Sequence, residues 1–180
     1  MRDTILFGDC RDTIPTITER PRMCVTSPPY YGLRNYGDEE NQIGQEQTPE
    51  EFVDNLVQVF REVKNVLADD GTLWLNIGDS YYNYRPGKGQ SYPKQSVSKT
   101  KQDLPDKCNK RGNKLQGLKE KDLIGIPWLF AFAMRKDGWY LRQDIIWHKP
   151  NPMPESVKDR CTKSHEYIFL FSKNKKYFYD

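Results

Sequence analysis

Met23-Cys24-Val25-Thr26-Ser27-Pro28-Pro29-Tyr30 is the stretch from which the rest of the chain can be read. Met23 to Val25 reads as a buried strand that runs directly into a rigid polar turn. Pro28 and Pro29 have fixed φ angles and no N–H groups, so Ser27 and Tyr30 are held with little freedom. No helix or ladder consumes the carbonyls around Pro28, which are left as free acceptors. A hydroxyl, free carbonyls and an aromatic ring at a strand's carboxyl end suit a planar ligand that carries an amino group. In open α/β sheets, ligands bind outside the carboxyl ends of strands.

Working outward, the 180 residues suffice for one domain with a sizeable core. No apolar run approaches the length of a membrane span, and the opening residues do not read as a signal peptide. Cys10, Cys24, Cys108 and Cys161 are scattered without a CxxC pair. They read as reduced thiols of a cytoplasmic protein, not as a zinc site or a disulfide frame. The formal charge of +3 hides an asymmetry. Residues 1–83 hold 7 Lys/Arg against 15 Asp/Glu, and residues 84–180 hold 21 against 10. An acidic half joined to a basic half suggests that one face meets a polyanion.

In chain order, residues 4–7 read as a short strand ending in Gly8-Asp9-Cys10, where Asp9 either contacts a ligand or caps the next turn. Thr48-Pro49-Glu50-Glu51 is a helix start, with Thr48 at the N-cap and Glu51 completing a capping box. Phe52, Leu56, Phe60, Val63 and Leu67 recur at helical spacing, and Gly71 reads as the stop. Residues 72–77 read as a strand parallel to the one that ends at Ser27, with Asn76, Asp79 and Ser80 at the same edge. Asp79 is a secondary site candidate or a turn residue. Residues 81–121 are basic and polar without an apolar period, and read as a mobile insertion that meets a phosphate backbone through residues such as Lys88, Lys110 and Arg111. An apolar helix follows from Ile126, with Pro127 near its start and Gly138 after its end. Residues 139–147 and 167–171 read as strands. His148-Lys149-Pro150-Asn151-Pro152 between them is a stiff loop. His148 and His165 have no carboxylate at ligand spacing, so no metal site is expected.

The Thr26-Ser27-Pro28-Pro29-Tyr30 motif, the Gly8-Asp9 strand end, the Tyr31-Gly32-Leu33-Arg34 loop and the Leu75-Asn76-Ile77-Gly78-Asp79-Ser80 block together resemble the DNA amino-methyltransferases. Serine at position 27 resembles the cytosine-N4 branch; the adenine-N6 branch more often has Asp or Asn there. The resemblance covers nearly the whole chain. It implies an α/β, Rossmann-like class I methyltransferase sheet in the circularly permuted order, S-adenosylmethionine as methyl donor, and double-stranded DNA with a flipped base as substrate. Carried over residue by residue, Ser27, Pro28, Pro29 and Tyr30 are catalytic. Asp9, Cys10, Thr26 and Ser27 face the donor, with Asp9 as the adenine contact. Arg34, Lys149 and Asn151 meet DNA, and Tyr30 stacks on the base.

An exocyclic amino nitrogen is a poor nucleophile because its lone pair is delocalised into the ring. Hydrogen bonds from that group to the Ser27 hydroxyl and the Pro28 carbonyl favour a more tetrahedral nitrogen, which attacks the sulfonium methyl directly. The protein's part is chiefly orientation. The permuted family ends in a Phe-x-Gly-x-Gly loop that cradles the donor's methionine end, and no such loop occurs in these residues. The sequence therefore reads as an incomplete sheet, whose missing part comes from a longer chain, a second polypeptide or self-association. The rival reading is a nucleic-acid-binding remnant without a donor pocket.

Overall fold

The structure, a computed structural model, describes residues 3–33, 42–82 and 117–180. Its centre is a four-stranded sheet of order β1-β2-β4-β3, formed by β1 (Met23–Thr26), β2 (Thr72–Ile77), β3 (Tyr140–His148) and β4 (His165–Ser172). β1 and β2 are parallel, and the register Thr26↔Leu75 sets Ser27 beside Asn76. β4 runs antiparallel to both of its neighbours, with Ile77↔Tyr167 on one side and His148↔His165 on the other. The carboxyl ends of β1, β2 and β3 therefore share one sheet edge with the start of β4.

The crossover between the parallel strands is the helix α2 (Pro49–Val66), which follows a one-turn helix, α1 (Cys10–Thr13). Thr48 Oγ1 accepts from the Glu51 N–H at 3.2 Å, and the Glu51 carboxylate accepts from the Thr48 N–H at 3.3 Å, so two donors of the first turn are satisfied reciprocally. Phe52, Leu56, Phe60 and Val63 bury one face of α2, as their spacing predicts. A third helix, α3 (Ile126–Lys136), adds Ile126, Phe130 and Met134 to the same core. The sheet contributes Leu73, Leu75, Ile77, Phe169 and Phe171, all fully buried. Phe130 meets Phe60 and Phe171 edge-on, which closes the layer between helices and sheet.

Three expectations change. Residues 4–7 are extended but pair with no described strand, and Ile5 and Phe7 stand 76 % and 89 % exposed. Strand geometry requires a ladder, and their neighbours on the sheet side are not among the described residues. β1 is an edge strand, not a buried one: Met23 and Val25 are 58 % and 68 % exposed, because among the described residues only β2 flanks it. Gly71 does not stop α2, which ends at Leu67 in extended geometry; Gly71 instead closes a tight turn by donating to the Ala68 carbonyl at 2.9 Å.

Ser80–Ile124 forms a second compact unit. Its described ends pair with each other: Tyr82 N donates to Asp122 O, Lys121 N to Tyr82 O and Ile124 N to Ser80 O. Lys88, Lys110 and Arg111 lie outside the described residues, as does Arg34.

Candidate active site at the carboxyl edge of the sheet

The turn after β1 is held from two sides. Gly44, at φ +102°, brings its backbone against Pro29 and Tyr30, where a Cβ would stand 3.3 Å from Pro29 Cβ and from the Tyr30 carbonyl oxygen. Its carbonyl accepts from Gly32 N at 2.8 Å, and its own N–H donates to Glu46 Oε2, whose other oxygen takes the Asn55 amide on α2 at 2.9 Å. Tyr31 packs on Phe52 at 5.4 Å between ring centroids. The first turn of α2 thereby sets the position of the proline turn.

On the sheet side, Tyr30 folds over β2. Its ring edge lies against Gly78, a buried glycine at which an added Cβ would stand 2.8 Å from Tyr30 Cδ2. Its hydroxyl lies 2.9 Å from Asn76 Oδ1 and 3.1 Å from Glu166 Oε2, and donates to one of them at a time. Asn76 is held in the matching orientation, its amide donating to Glu166 Oε2 and to the Tyr167 carbonyl, both at 3.2 Å. Ser27 Oγ reaches the same Asn76 oxygen over 3.4 Å. That bond is long, so the exposed Ser27 hydroxyl retains capacity for a ligand. Lys149, just beyond β3, places its ammonium on Glu166 Oε1 while its backbone N–H donates to Ser164 O at 2.7 Å.

The electrostatics follow from this packing. Burial, aided by the nearby Glu166 charge, pushes the Tyr30 phenol up to about 12, although a bond with Ser27 works the other way. Burial also pushes the Glu166 carboxyl up, but its bonds from Lys149, Asn76 and Tyr30 together hold it below its ordinary value. Lys163 is lowered by burial, against the pull of Asp79 and Glu166.

The other expected residues fall into two groups. Thr26 closes β1 beside Leu75, at the same edge as Ser27. Pro28 and Pro29 are partly buried beneath the turn, and Asn151 is exposed on the loop after β3. Asp9 caps α1: it accepts from Arg11 N at 2.8 Å and from Arg11 Nε at 3.0 Å, which holds its carboxyl at about 2. Cys10, whose thiol burial pushes up, follows it in the same turn. Asp79 accepts from the N–H groups of Gly125 at 3.0 Å and Ile126 at 3.1 Å, capping α3, whose N-cap glycine has no side chain to do so. Glu166 escaped the sequence reading. Its signal was a carboxylate at the head of an otherwise apolar strand, a position that acquires meaning only once β4 lies beside β2. Among the described residues no group of His, Cys, Asp and Glu could hold a metal ion, and no helix is long and apolar enough to cross a membrane.

An open α/β sheet whose strands deliver a polar, proline-stiffened turn to their carboxyl edge is the Rossmann-like sheet of the methyltransferases. Two solved structures share this fold. The PvuII DNA methyltransferase (cytosine-N4-specific) matches with a TM-score of 0.59 and 18 % identity, over 94 % of this chain and 49 % of that one. The Thermus thermophilus DNA modification methylase TTHA0409, complexed with S-adenosyl-L-methionine, matches with a TM-score of 0.60 and 22 % identity, over 96 % and 54 %. The chain belongs to the N6/N4 DNA methylase family, which it matches over residues 22–180. It is 50 % identical over 182 residues to the type II methyltransferase M.SmaI of Serratia marcescens, and 51 % identical over 182 residues to M.XycI of Xanthomonas campestris pv. cyanopsidis. It spans 58 % of the length of each of these relatives.

Proposed function

We propose that this chain is the acceptor-side part of a DNA methyltransferase that moves a methyl group from S-adenosylmethionine to the exocyclic N4 of a flipped cytosine. The observation that carries this reading is the Ser27–Tyr30 turn: a ligand-ready hydroxyl at the carboxyl end of β1, backed by a tyrosine fastened to β2 and β4. The fit to the donor rests on Asp9. Its exposed carboxylate is charged and bonded to Arg11, and a carboxylate with about four acceptor positions can still take an adenine amino group. Cys10 and Thr26 complete the donor-facing set. When bound, the donor supplies an activated methyl group.

The protein's residues do the rest. Ser27 Oγ and the Pro28 carbonyl accept hydrogen bonds from the base's amino group and localise its lone pair, aimed for in-line attack. The C–S bond breaks as the C–N bond forms, and the surplus N–H proton leaves to water. Tyr30 offers the base its free ring face. Arg34, Lys88, Lys110 and Arg111, with Lys149 and Asn151 at the rim, supply phosphate contacts. Serine at position 27 favours cytosine; adenine-N6 transfer uses the same geometry and is the second reading.

The donor's methionine end then rests on residues beyond these 180, carried by a second polypeptide, a second copy or a longer chain. The open edge of β1 and its exposed Met23 and Val25 support further strands joining there. The test is tritiated methyl transfer to unmethylated duplex, followed by nucleoside analysis. N4-methylcytosine is expected, and N6-methyladenine would move the assignment to the second reading. A protein that binds donor and duplex yet transfers no methyl overturns both.

A further inference from the structure

We propose that Glu166 is a positioning residue that fastens the Ser27–Tyr30 turn to the loop following β3; this rests on the reading of the preceding section. The two oxygens of its carboxylate have separate tasks. Oε2 receives the Tyr30 hydroxyl at 3.1 Å and the Asn76 amide at 3.2 Å, and Oε1 receives the Lys149 ammonium. One side chain at the head of β4 therefore joins the end of β1, the end of β2 and the end of β3. Pro28 and Pro29 remove two φ freedoms between Ser27 and Tyr30, so an anchored Tyr30 restricts where the Ser27 hydroxyl and Pro28 carbonyl point. Asn76 makes the link double, because the amide that Glu166 orients presents its oxygen to both Tyr30 and Ser27.

A carboxylate that is only 18 % exposed is a costly way to gain stability. Desolvation offsets much of the attraction within such a pair, whereas the geometry it imposes is specific. Gly78 gives independent support. The glycine leaves room for the ring edge that the hydroxyl bonds hold in place, so the fold accommodates this one placement of Tyr30 at two separate points. The acceptor atoms for the amino group are thus set by a residue that touches neither base nor donor.

The test compares Glu166→Ala, Glu166→Gln and Tyr30→Phe in the 180-residue chain, together with any companion polypeptide its activity requires. A displacement of about 1 Å at reacting atoms can cost about a hundredfold in rate. Glu166→Ala is therefore expected to lower kcat roughly a hundredfold, with KM for DNA and donor affinity within about threefold. Glu166→Gln, which keeps an acceptor for the Tyr30 hydroxyl but loses the charge for Lys149, should recover about tenfold of that loss. Fluorescence of 2-aminopurine at the target position should rise as in the wild type, because extrusion of the base is not what Glu166 governs. A kcat for Glu166→Ala within about threefold of wild type overturns the proposal. So does a loss that appears wholly in KM or in donor affinity. Should the wild type transfer no methyl, the functional reading fails, and a urea-unfolding cycle of Tyr30→Phe with Glu166→Ala still judges the tether. Coupling that changes the unfolding constant by about threefold or more supports it, and additive effects overturn it.

Discussion

Replacing Gly78 with alanine adds one methyl group to a buried point, and the structure says which atoms must yield. The new Cβ would stand 2.8 Å from Tyr30 Cδ2 and 3.1 Å from Cζ, with Cε2 closer still. Carbon–carbon contacts settle at about 3.5–4.0 Å, so the ring must retreat by roughly 1 Å. That movement carries the hydroxyl, now 2.9 Å from Asn76 and 3.1 Å from Glu166, beyond bonding distance of both. Losing a bond to a charged group costs about 1.5–3 kcal/mol, and overpacking a tight site costs about 1–3 kcal/mol. Lower unfolded-state entropy returns about 0.4–1 kcal/mol. The net expectation is a loss of about 2–3 kcal/mol. In urea unfolding followed by tryptophan fluorescence, with a slope of about 2 kcal/mol/M, the midpoint falls by about 1–1.5 M. The same substitution made in a Tyr30→Ala background has nothing to displace and should move the midpoint by less than about 0.3 M. Equal losses in the two backgrounds would show that the methyl group collides elsewhere, and the account of Tyr30 would be wrong.

Other perturbations read the site and its supports separately. Ser27→Ala should lower methyl transfer about a hundredfold, as loss of one well-placed catalytic hydrogen bond does, with donor affinity nearly unchanged. Because Ser27 is exposed and its bond to Asn76 is 3.4 Å long, the unfolding free energy should stay within about 0.5 kcal/mol. Asp79→Ala removes the acceptor for Gly125 and Ile126 and should cost about 1–2 kcal/mol in urea unfolding, most of which Asp79→Asn should restore. The Tyr30 phenol is raised from 10.0 to about 12 in the fold, so its contribution is fully present below pH 10 and is lost as pH rises towards 12. Alkaline unfolding curves of wild type and Tyr30→Phe should therefore converge over that window. Glu166 has the opposite sign. Its carboxyl is lowered from 4.5, so its contribution is complete above that value and fades as pH falls below it. Acid unfolding of Glu166→Gln should accordingly be shallower than that of wild type.

Much of this molecule was legible in the sequence because its signals are local. Thr48, Pro49 and Glu51 cap a helix whose apolar residues recur within its own turns, and the runs that become β2 and β4 need only their own composition to read as strands. The proline turn is equally local, since ring closure fixes it wherever it sits. Tertiary structure alone decided what the turn meets. Tyr30 and Glu166 are 136 residues apart and become partners because β4 enters antiparallel beside β2, putting its first residues where β2 ends. Asp79 looked like a site residue at a strand end, but a helix whose N-cap is a glycine needed its carboxylate. Residues 4–7 have strand composition and no ladder among the described residues, because a strand is completed by a neighbour and not by its own side chains. Capping, periodicity and proline stiffness act within a few bonds of the residue that causes them. Register and strand order are settled by burial summed over the whole sheet, and no stretch of sequence holds that sum by itself.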